Sequence, residues 1–85
     1  MEKELSMKPL TYSEAAKTLQ LGNYRHYKGG EYEVLFAGRN SETLEEVVIY
    51  RDRNNKELVW ARPLTMFLGT EEYNGETVER FTYLP

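Results

Sequence analysis

The sequence predicts a mainly β fold: a small, partly open β-barrel of the SH3-like kind with about six short strands. Runs rich in aromatic and β-branched residues alternate with polar ones at intervals of about 8–12 residues. Turn-forming pairs separate these runs, and Asn74-Gly75 is the strongest of them. A sandwich of standard size needs more strands than 85 residues supply. An OB-type barrel is disfavoured because no long helical pattern lies between the third and fourth strands.

The chain divides into two parts. Residues 1–21 are predicted to form an N-terminal extension with a short helix, and residues 22–85 to form the barrel domain. Within the extension, residues 1–10 carry no clear pattern, so we expect a loose start.

The short helix is predicted from a capping box, Thr11 to Glu14, followed by good helix formers up to Gly22. We expect it to plug one end of the barrel, although docking to another protein is an alternative. The apolar stripe expected to make this contact consists of Leu10, Ala15, Leu19 and Leu21.

The first hairpin is predicted over 22–38, with Gly29-Gly30 as a two-residue turn that needs positive φ angles. It carries the single histidine, His26. Pro63 is expected to end the fourth strand, because proline cannot donate to a sheet ladder. The later elements are predicted as strands over 43–52 and 57–62, a helical turn over 64–68, and a last hairpin with strands over 71–73 and 77–83.

Aromatic side chains are expected to supply most of the core of so small a domain, because each buries a large area. Met66 is predicted to pack beside them. The predicted core rings are Phe36, Trp60, Phe67 and Phe81. The rings whose hydroxyls could reach a surface groove are Tyr24, Tyr27, Tyr32 and Tyr50.

Composition excludes several classes of function. The chain has no cysteine and one histidine, which excludes disulfides and thiol catalysis and leaves no basis for a metal site or other cofactor. No run is apolar enough for a signal peptide or membrane span, so we expect a cytoplasmic protein. A net charge of −3 disfavours nucleic acid as a partner.

Four groups of residues resemble one known family. They are Tyr24-Arg25-His26-Tyr27-Lys28-Gly29, Ser41-Glu42-Thr43, Trp60-Ala61-Arg62-Pro63 with Met66-Phe67, and Arg80-Phe81. In order and spacing they resemble a family of small bacterial domains of unknown function, number sixteen fifty-three. The resemblance implies an SH3-like barrel and brings no assigned activity. Asn40 departs from it, since the family usually has a histidine before Ser-Glu-Thr.

The sequence predicts one candidate ligand site, centred on Arg62, whose planar fork can hold a carboxylate or phosphate with two hydrogen bonds. Arg62 could equally pair with Glu42, Glu46 or Glu79, or stack on an aromatic ring. The candidate ligand-binding residues are His26, Arg39, Ser41, Glu42, Thr43, Tyr50, Arg62 and Arg80.

The preferred function is a non-enzymatic binding module for a small anionic ligand or a short peptide, with no catalytic residue. One alternative is a single-strand nucleic-acid binder. Another is a small hydrolase using Ser41 and His26, although no G-x-S-x-G elbow surrounds that serine. A third alternative is pairing of the domain with itself, or with a larger enzyme, through a strand edge.

Overall fold

A computed structural model of the chain describes residues 11–85, so the predicted loose start, residues 1–10, and Leu10 of the predicted stripe lie outside it. The described part contains seven strands and two single-turn helices. In chain order they are α1 (Glu14–Lys17), β1 (Gly22–His26), β2 (Glu31–Arg39), β3 (Glu46–Asp52), β4 (Val59–Pro63), α2 (Leu64–Phe67), β5 (Thr70–Tyr73), β6 (Glu76–Glu79) and β7 (Phe81–Tyr83).

The strands form a five-stranded antiparallel sheet in the order β4-β3-β2-β1-β7 and a separate β5-β6 hairpin. The prediction of a mainly β fold is confirmed, but the sheet does not close into a barrel. The two edge strands nevertheless make a side-chain contact, because the guanidinium carbon of Arg62 in β4 lies 5.7 Å from the ring centre of Phe81 in β7. The sheet is therefore curled around its core without hydrogen bonds between its edges.

The last predicted strand is divided in two, which gives seven strands instead of about six. The division falls at Arg80, whose N–H donates to the carbonyl of Gly69 and whose carbonyl accepts from the N–H of Tyr27. These bonds carry the chain from the β5-β6 hairpin into the main sheet. The Asn74-Gly75 turn is confirmed, with φ angles of 53° and 80°.

The first hairpin is confirmed, but its predicted two-residue turn is wrong. The N–H of His26 donates to the carbonyl of Gly30 at 2.8 Å, which encloses a three-residue loop. Of the two glycines only Gly29 has a positive φ, at 118°. The loop is longer because Tyr27 leaves the β1-β2 ladder and donates its N–H to Arg80.

The core lies on the concave face of the curled sheet, under α2. Phe67 and Phe81 are buried as predicted. Tyr24 and Tyr50 are also buried, which corrects the expectation that their hydroxyls reach a surface groove. The buried residues are Ala16, Tyr24, Val34, Val48, Tyr50, Leu64, Phe67 and Phe81.

Three predicted core residues are exposed: Phe36 (54%), Trp60 (47%) and Met66 (46%). Phe36 is turned out by a bulge between Val34 and Phe36, where the register shifts and reverses the side-chain alternation. Trp60 shares a face with the buried Tyr50, but β4 is the sheet edge and nothing covers its outer side in the described chain. Met66 points away because α2 buries Leu64 and Phe67 instead.

The predicted capping box is also wrong, since the N-cap of α1 is Ser13 and the helix ends at Lys17, well before Gly22. The Ser13 hydroxyl accepts the N–H of Ala16 at 3.2 Å and donates to Glu46 Oε1 at 2.7 Å. The N–H of Ser13 donates to Glu46 Oε2, also at 2.7 Å. This contact with β3 selects the cap, and it buries Ala16 in place of the predicted Ala15 and Leu21.

Acid should release α1 from the sheet. The hydrogen bonds from Ser13, first its N–H and then its hydroxyl, hold the pKa of Glu46 below the ordinary 4.5. A carboxylate with a lowered folded-state pKa stabilises the contact above its unfolded pKa, and the contact is lost as pH falls through the folded value. We therefore expect the amide chemical shift of Ser13 to titrate with a midpoint below 4.5. In Glu46→Gln that step should be absent, and a midpoint at or above 4.5 in the wild type would contradict the prediction.

Candidate functional site

The central residue of the candidate site is Arg62, in β4 at one edge of the sheet. Its Nε donates to the Tyr50 hydroxyl at 3.1 Å, and its guanidinium lies over the ring of Phe81. Val48, its cross-strand neighbour in β3, is fully buried. These contacts orient the guanidinium through one nitrogen and one face. Its two terminal nitrogens have no hydrogen-bond partner within residues 11–85.

Arg62 differs from the other arginines in having no carboxylate partner within residues 11–85. The pairing with Glu42, Glu46 or Glu79 considered from sequence does not form, whereas the aromatic contact does. The other arginines are all paired: Arg25 with Glu31 (2.9 Å), Arg39 with Glu46 (3.8 Å), Arg51 with Glu33 (2.9 Å), Arg53 with Glu31 (2.8 Å), and Arg80 with Glu71. A half-buried guanidinium without a counter-charge is suited to bind an anion.

Aromatic rings form the floor and one wall of the Arg62 site, which we define as Arg62 with the rings around Phe81. The ring of Phe81 stacks on that of Phe67, with centroids 4.2 Å apart. Its other neighbours are His26 at 5.0 Å, Tyr50 at 5.5 Å and Tyr32 at 5.9 Å. Because His26 and Tyr32 are only partly buried, they give the site an accessible aromatic wall.

His26 is neutral at pH 7 in this setting. Burial is the main cause that lowers its pKa below the ordinary 6.5. The second cause is positive charge nearby, from Arg62, Lys28 and Arg80, which the negative charge of Glu71 opposes. Its Nδ1 accepts the N–H of Lys28 at 3.1 Å, so the neutral ring carries its proton on Nε2.

Arg80 brings a second guanidinium to this end of the sheet. One terminal nitrogen, Nη2, pairs with Glu71, but Nε is buried and has no hydrogen-bond partner in the described chain. A buried donor without a partner destabilises a fold, by about 1–3 kcal/mol. The Arg62 site therefore lies in a region of net positive charge with one unused donor.

The loop of Ser41, Glu42 and Thr43 does not join this site. It follows β2 at the opposite end from His26, about 30 Å along a strand of that length. The loop is held by Asn40, whose Oδ1 accepts the N–H groups of Glu42 (2.8 Å) and Thr43 (3.2 Å). A relay between Ser41 and His26 requires hydrogen-bond contact, so the geometry that the hydrolase alternative needs is not formed.

Arg39 is held by contacts that do not involve Arg62. It donates to the carbonyls of Leu44 (2.7 Å) and Thr11 (2.6 Å), and its guanidinium lies over the ring of Tyr12. These contacts anchor the segment before α1. Of the predicted site residues, the structure brings together His26, Tyr50, Arg62 and Arg80.

Sequence reasoning missed Tyr32 and Phe81 as parts of the site. The available signal was alternation, since Tyr32 lies two residues before Val34 on the same face of β2. It also missed a groove of about 300 Å³ beside His26, between the β1-β7 pair and the β5-β6 hairpin. Tyr27 and Tyr73 line the groove, with ring centroids 5.3 Å apart.

Within residues 11–85 no three His, Cys, Asp or Glu side chains lie close enough together to hold a metal ion. In the same range, neither helix is long and apolar enough to cross a membrane.

Comparison with known proteins finds a family and a solved structure. The family model described as a protein of unknown function, DUF1653, matches residues 22–83. The crystal structure of a protein belonging to DUF1653 from Bordetella bronchiseptica is similar, with a TM-score of 0.74 and 31% sequence identity. That alignment covers 81% of this chain and 91% of the other. No curated protein matches the chain at a significant level.

Proposed function

The chain belongs to the DUF1653 family, whose description assigns no activity, and from that premise we propose that it is a non-enzymatic module that binds a small anion at Arg62. The observation that carries the proposal is the unpaired state of Arg62. Every other arginine within residues 11–85 has a carboxylate partner, and Arg62 is instead held by the Tyr50 hydroxyl and the Phe81 ring.

The surrounding charges favour a negative ligand. Arg80 and Lys28 add positive charge around His26, and Glu71 is the acidic group that opposes them there. The carboxylates of the sheet are already bonded elsewhere, Glu31 and Glu33 to arginines and Glu46 mainly to Ser13. A carboxylate or phosphate at the free nitrogens of Arg62 would complete its hydrogen bonding.

The aromatic wall favours a ligand with a flat apolar part. His26 and Tyr32 present partly exposed rings beside Arg62, and ring stacking adds to binding beyond the area it buries. We therefore propose a small aromatic carboxylate or an aryl phosphate as the ligand class. The neutral His26, protonated on Nε2, offers one further donor to it.

The test compares Arg62→Met with Arg53→Met, which removes the same charge from a guanidinium paired with Glu31. Benzoate, phenyl phosphate and inorganic phosphate are titrated into labelled protein while amide shifts are recorded. Hydrogen bonds to charged groups contribute about 1.5–3 kcal/mol, so Arg62→Met should weaken binding of phenyl phosphate about 10- to 100-fold.

Arg53→Met should bind like the wild type, and inorganic phosphate should bind more weakly than phenyl phosphate. Equal losses in the two variants would show a general charge effect, and an unchanged Arg62→Met would remove the assignment. Thermal unfolding of both variants checks that the fold is intact.

A further inference from the structure

The free edge of the main sheet is unusually apolar. β4 pairs with β3 on one side and has no neighbouring strand on the other within residues 11–85. Leu58, Val59 and Trp60 along this edge are 43%, 51% and 47% exposed. Proteins normally protect such an edge with charges, bulges or a covering segment, because its free backbone groups are a template for another strand. Here Arg62 and Pro63 lie at the end of the strand, whereas Leu58, Val59 and Trp60 before them carry no charge.

The ladder shows which backbone groups of β4 are free. The N–H of Asp52 donates to the carbonyl of Leu58 at 3.0 Å, so the backbone N–H and C=O groups of Leu58 point toward β3. The direction of these backbone groups alternates along an antiparallel strand, so those of Trp60 and Arg62 also point toward β3. Val59 and Ala61 therefore direct their N–H and C=O groups away from the sheet.

We propose that β4 pairs with β4 of a second copy of this chain, antiparallel, about a two-fold axis at Trp60. In this register Val59 lies opposite Ala61 of the partner subunit, and the reverse pair follows by symmetry. Each pair exchanges both of its N–H···O bonds. Pro63, which has no N–H to give, is outside the bonded pairs. Trp60 lies directly beside Trp60 of the partner subunit, in a pair that brings side chains closest.

The occupant is a second copy because the edge is complementary to itself. Residues 57–63 carry one negative charge, Glu57, and one positive charge, Arg62. The two-fold axis brings Glu57 of one copy to the same end of the interface as Arg62 of the other. Leu58 of the partner subunit then lies directly opposite Arg62 on the neighbouring strand. The pairing therefore extends the wall of the Arg62 site, although it does not depend on the proposed ligand.

The interface is small, so the association should depend on concentration. The exposed apolar surface at this edge amounts to roughly 300 Å² per copy, less than half of the roughly 800 Å² that a standard stable interface buries on each side. We therefore expect a weak, reversible dimer. Because Trp60 is the only tryptophan of the chain, its emission reports directly on the contact.

The test is sedimentation equilibrium and tryptophan emission of the wild type over roughly 10 µM to 1 mM, the range in which a small interface dimerises. The average mass should rise from near 10.0 kDa toward twice that value, and the emission should shift to shorter wavelength. Val59→Lys adds a charge at the edge and should abolish both changes. Ala61→Pro removes an outward N–H and should do the same. Leu68→Lys, at a residue that is 50% exposed and lies outside β4, is the matched control and should keep both.

A wild type that stays monomeric up to the highest concentration would overturn the proposal. So would association that survives Val59→Lys. If Phe36→Ser abolishes association while Val59→Lys does not, the copies stack through the convex faces of their sheets and the edge register is wrong. Circular dichroism of each variant confirms that it is folded before its mass is interpreted.

Discussion

Phe67→Ala is expected to lower the free energy of unfolding by about 3–5 kcal/mol, the cost of removing a large buried ring from a core. Phe67 is 1% exposed and stacks on Phe81 at 4.2 Å. It also makes an edge contact with Tyr24 at 5.2 Å and a tilted contact with Tyr50 at 5.5 Å, so its removal leaves a cavity that three rings border. A domain of this length has about 5–10 kcal/mol of stability in total, so the loss should bring the variant close to unfolding. Urea denaturation followed by circular dichroism measures it.

The matched control is Phe36→Ala, the same chemical change at a ring that is 54% exposed. The bulge between Val34 and Phe36 places this ring on the convex face of the sheet, where less area is removed from water. We expect a loss below about 1 kcal/mol, as for most surface substitutions. Similar losses in the two variants would mean that Phe36 is packed in the core and that the bulge is misplaced.

Glu71→Gln should destabilise the domain and strengthen anion binding at the same time. Glu71 is the carboxylate partner of Arg80, and the two side chains are 30% and 19% exposed. Without Glu71 the guanidinium keeps its charge, while its Nε has no hydrogen-bond partner in the described chain. Breaking a fully buried ion pair costs more, but both groups are partly solvated, so we expect about 1–2 kcal/mol. This corresponds to a fall in the thermal midpoint of roughly 4–15 °C for a domain of this size.

The effect on binding has the opposite sign because Glu71 opposes the positive charges around His26. Its neutralisation removes negative charge that offsets the positive charges of Arg62, Arg80 and Lys28. Phenyl phosphate should therefore bind about two- to fivefold more tightly, the size expected of a partly screened charge interaction. Glu33→Gln is the control, since it removes a more exposed partner, that of Arg51, on the convex face. It should change neither quantity much. An unchanged affinity of Glu71→Gln for phenyl phosphate would mean that Arg80 does not contribute to binding at the Arg62 site.

Opposite effects on stability and affinity are typical of binding sites, where charges are kept unpaired for a ligand at a cost in stability. If Glu71→Gln and Arg62→Met both behave as expected, the two arginines act together. If only Arg62→Met weakens binding, Arg80 serves the fold through its backbone bonds to Gly69 and Tyr27.

Local patterns were sufficient for the elements whose causes are local. Alternation located the main strands, although β3 begins at Glu46, three residues later than predicted. Asn74-Gly75 fixed the last turn because asparagine and glycine adopt positive φ angles at low cost. Pro63 followed by Leu64–Phe67 gave the helical turn, since proline cannot continue a ladder and its fixed φ suits a helix start. The prominence of Arg62 also came from the residue type alone.

The errors share one physical cause, which is that contacts between distant segments decided between nearly equal local choices. Ser13 replaced Thr11 as the helix cap because Glu46, 33 residues away, binds its N–H and hydroxyl. The bulge at Val34 reversed the alternation and exposed Phe36.

The candidate site shows most clearly that contacts between distant segments decide what local patterns leave open. The composition and alternation of the chain determined that it is a mainly β domain with several unassigned cations, because these depend on neighbours within a few residues. That Arg62 is the unpaired one was decided by the curl of the sheet, which brings β4 over Phe81 of β7 and leaves no carboxylate within reach among the described residues. Such a contact between side chains of the two edge strands depends on twist accumulated over five strands, and no local pattern predicts it.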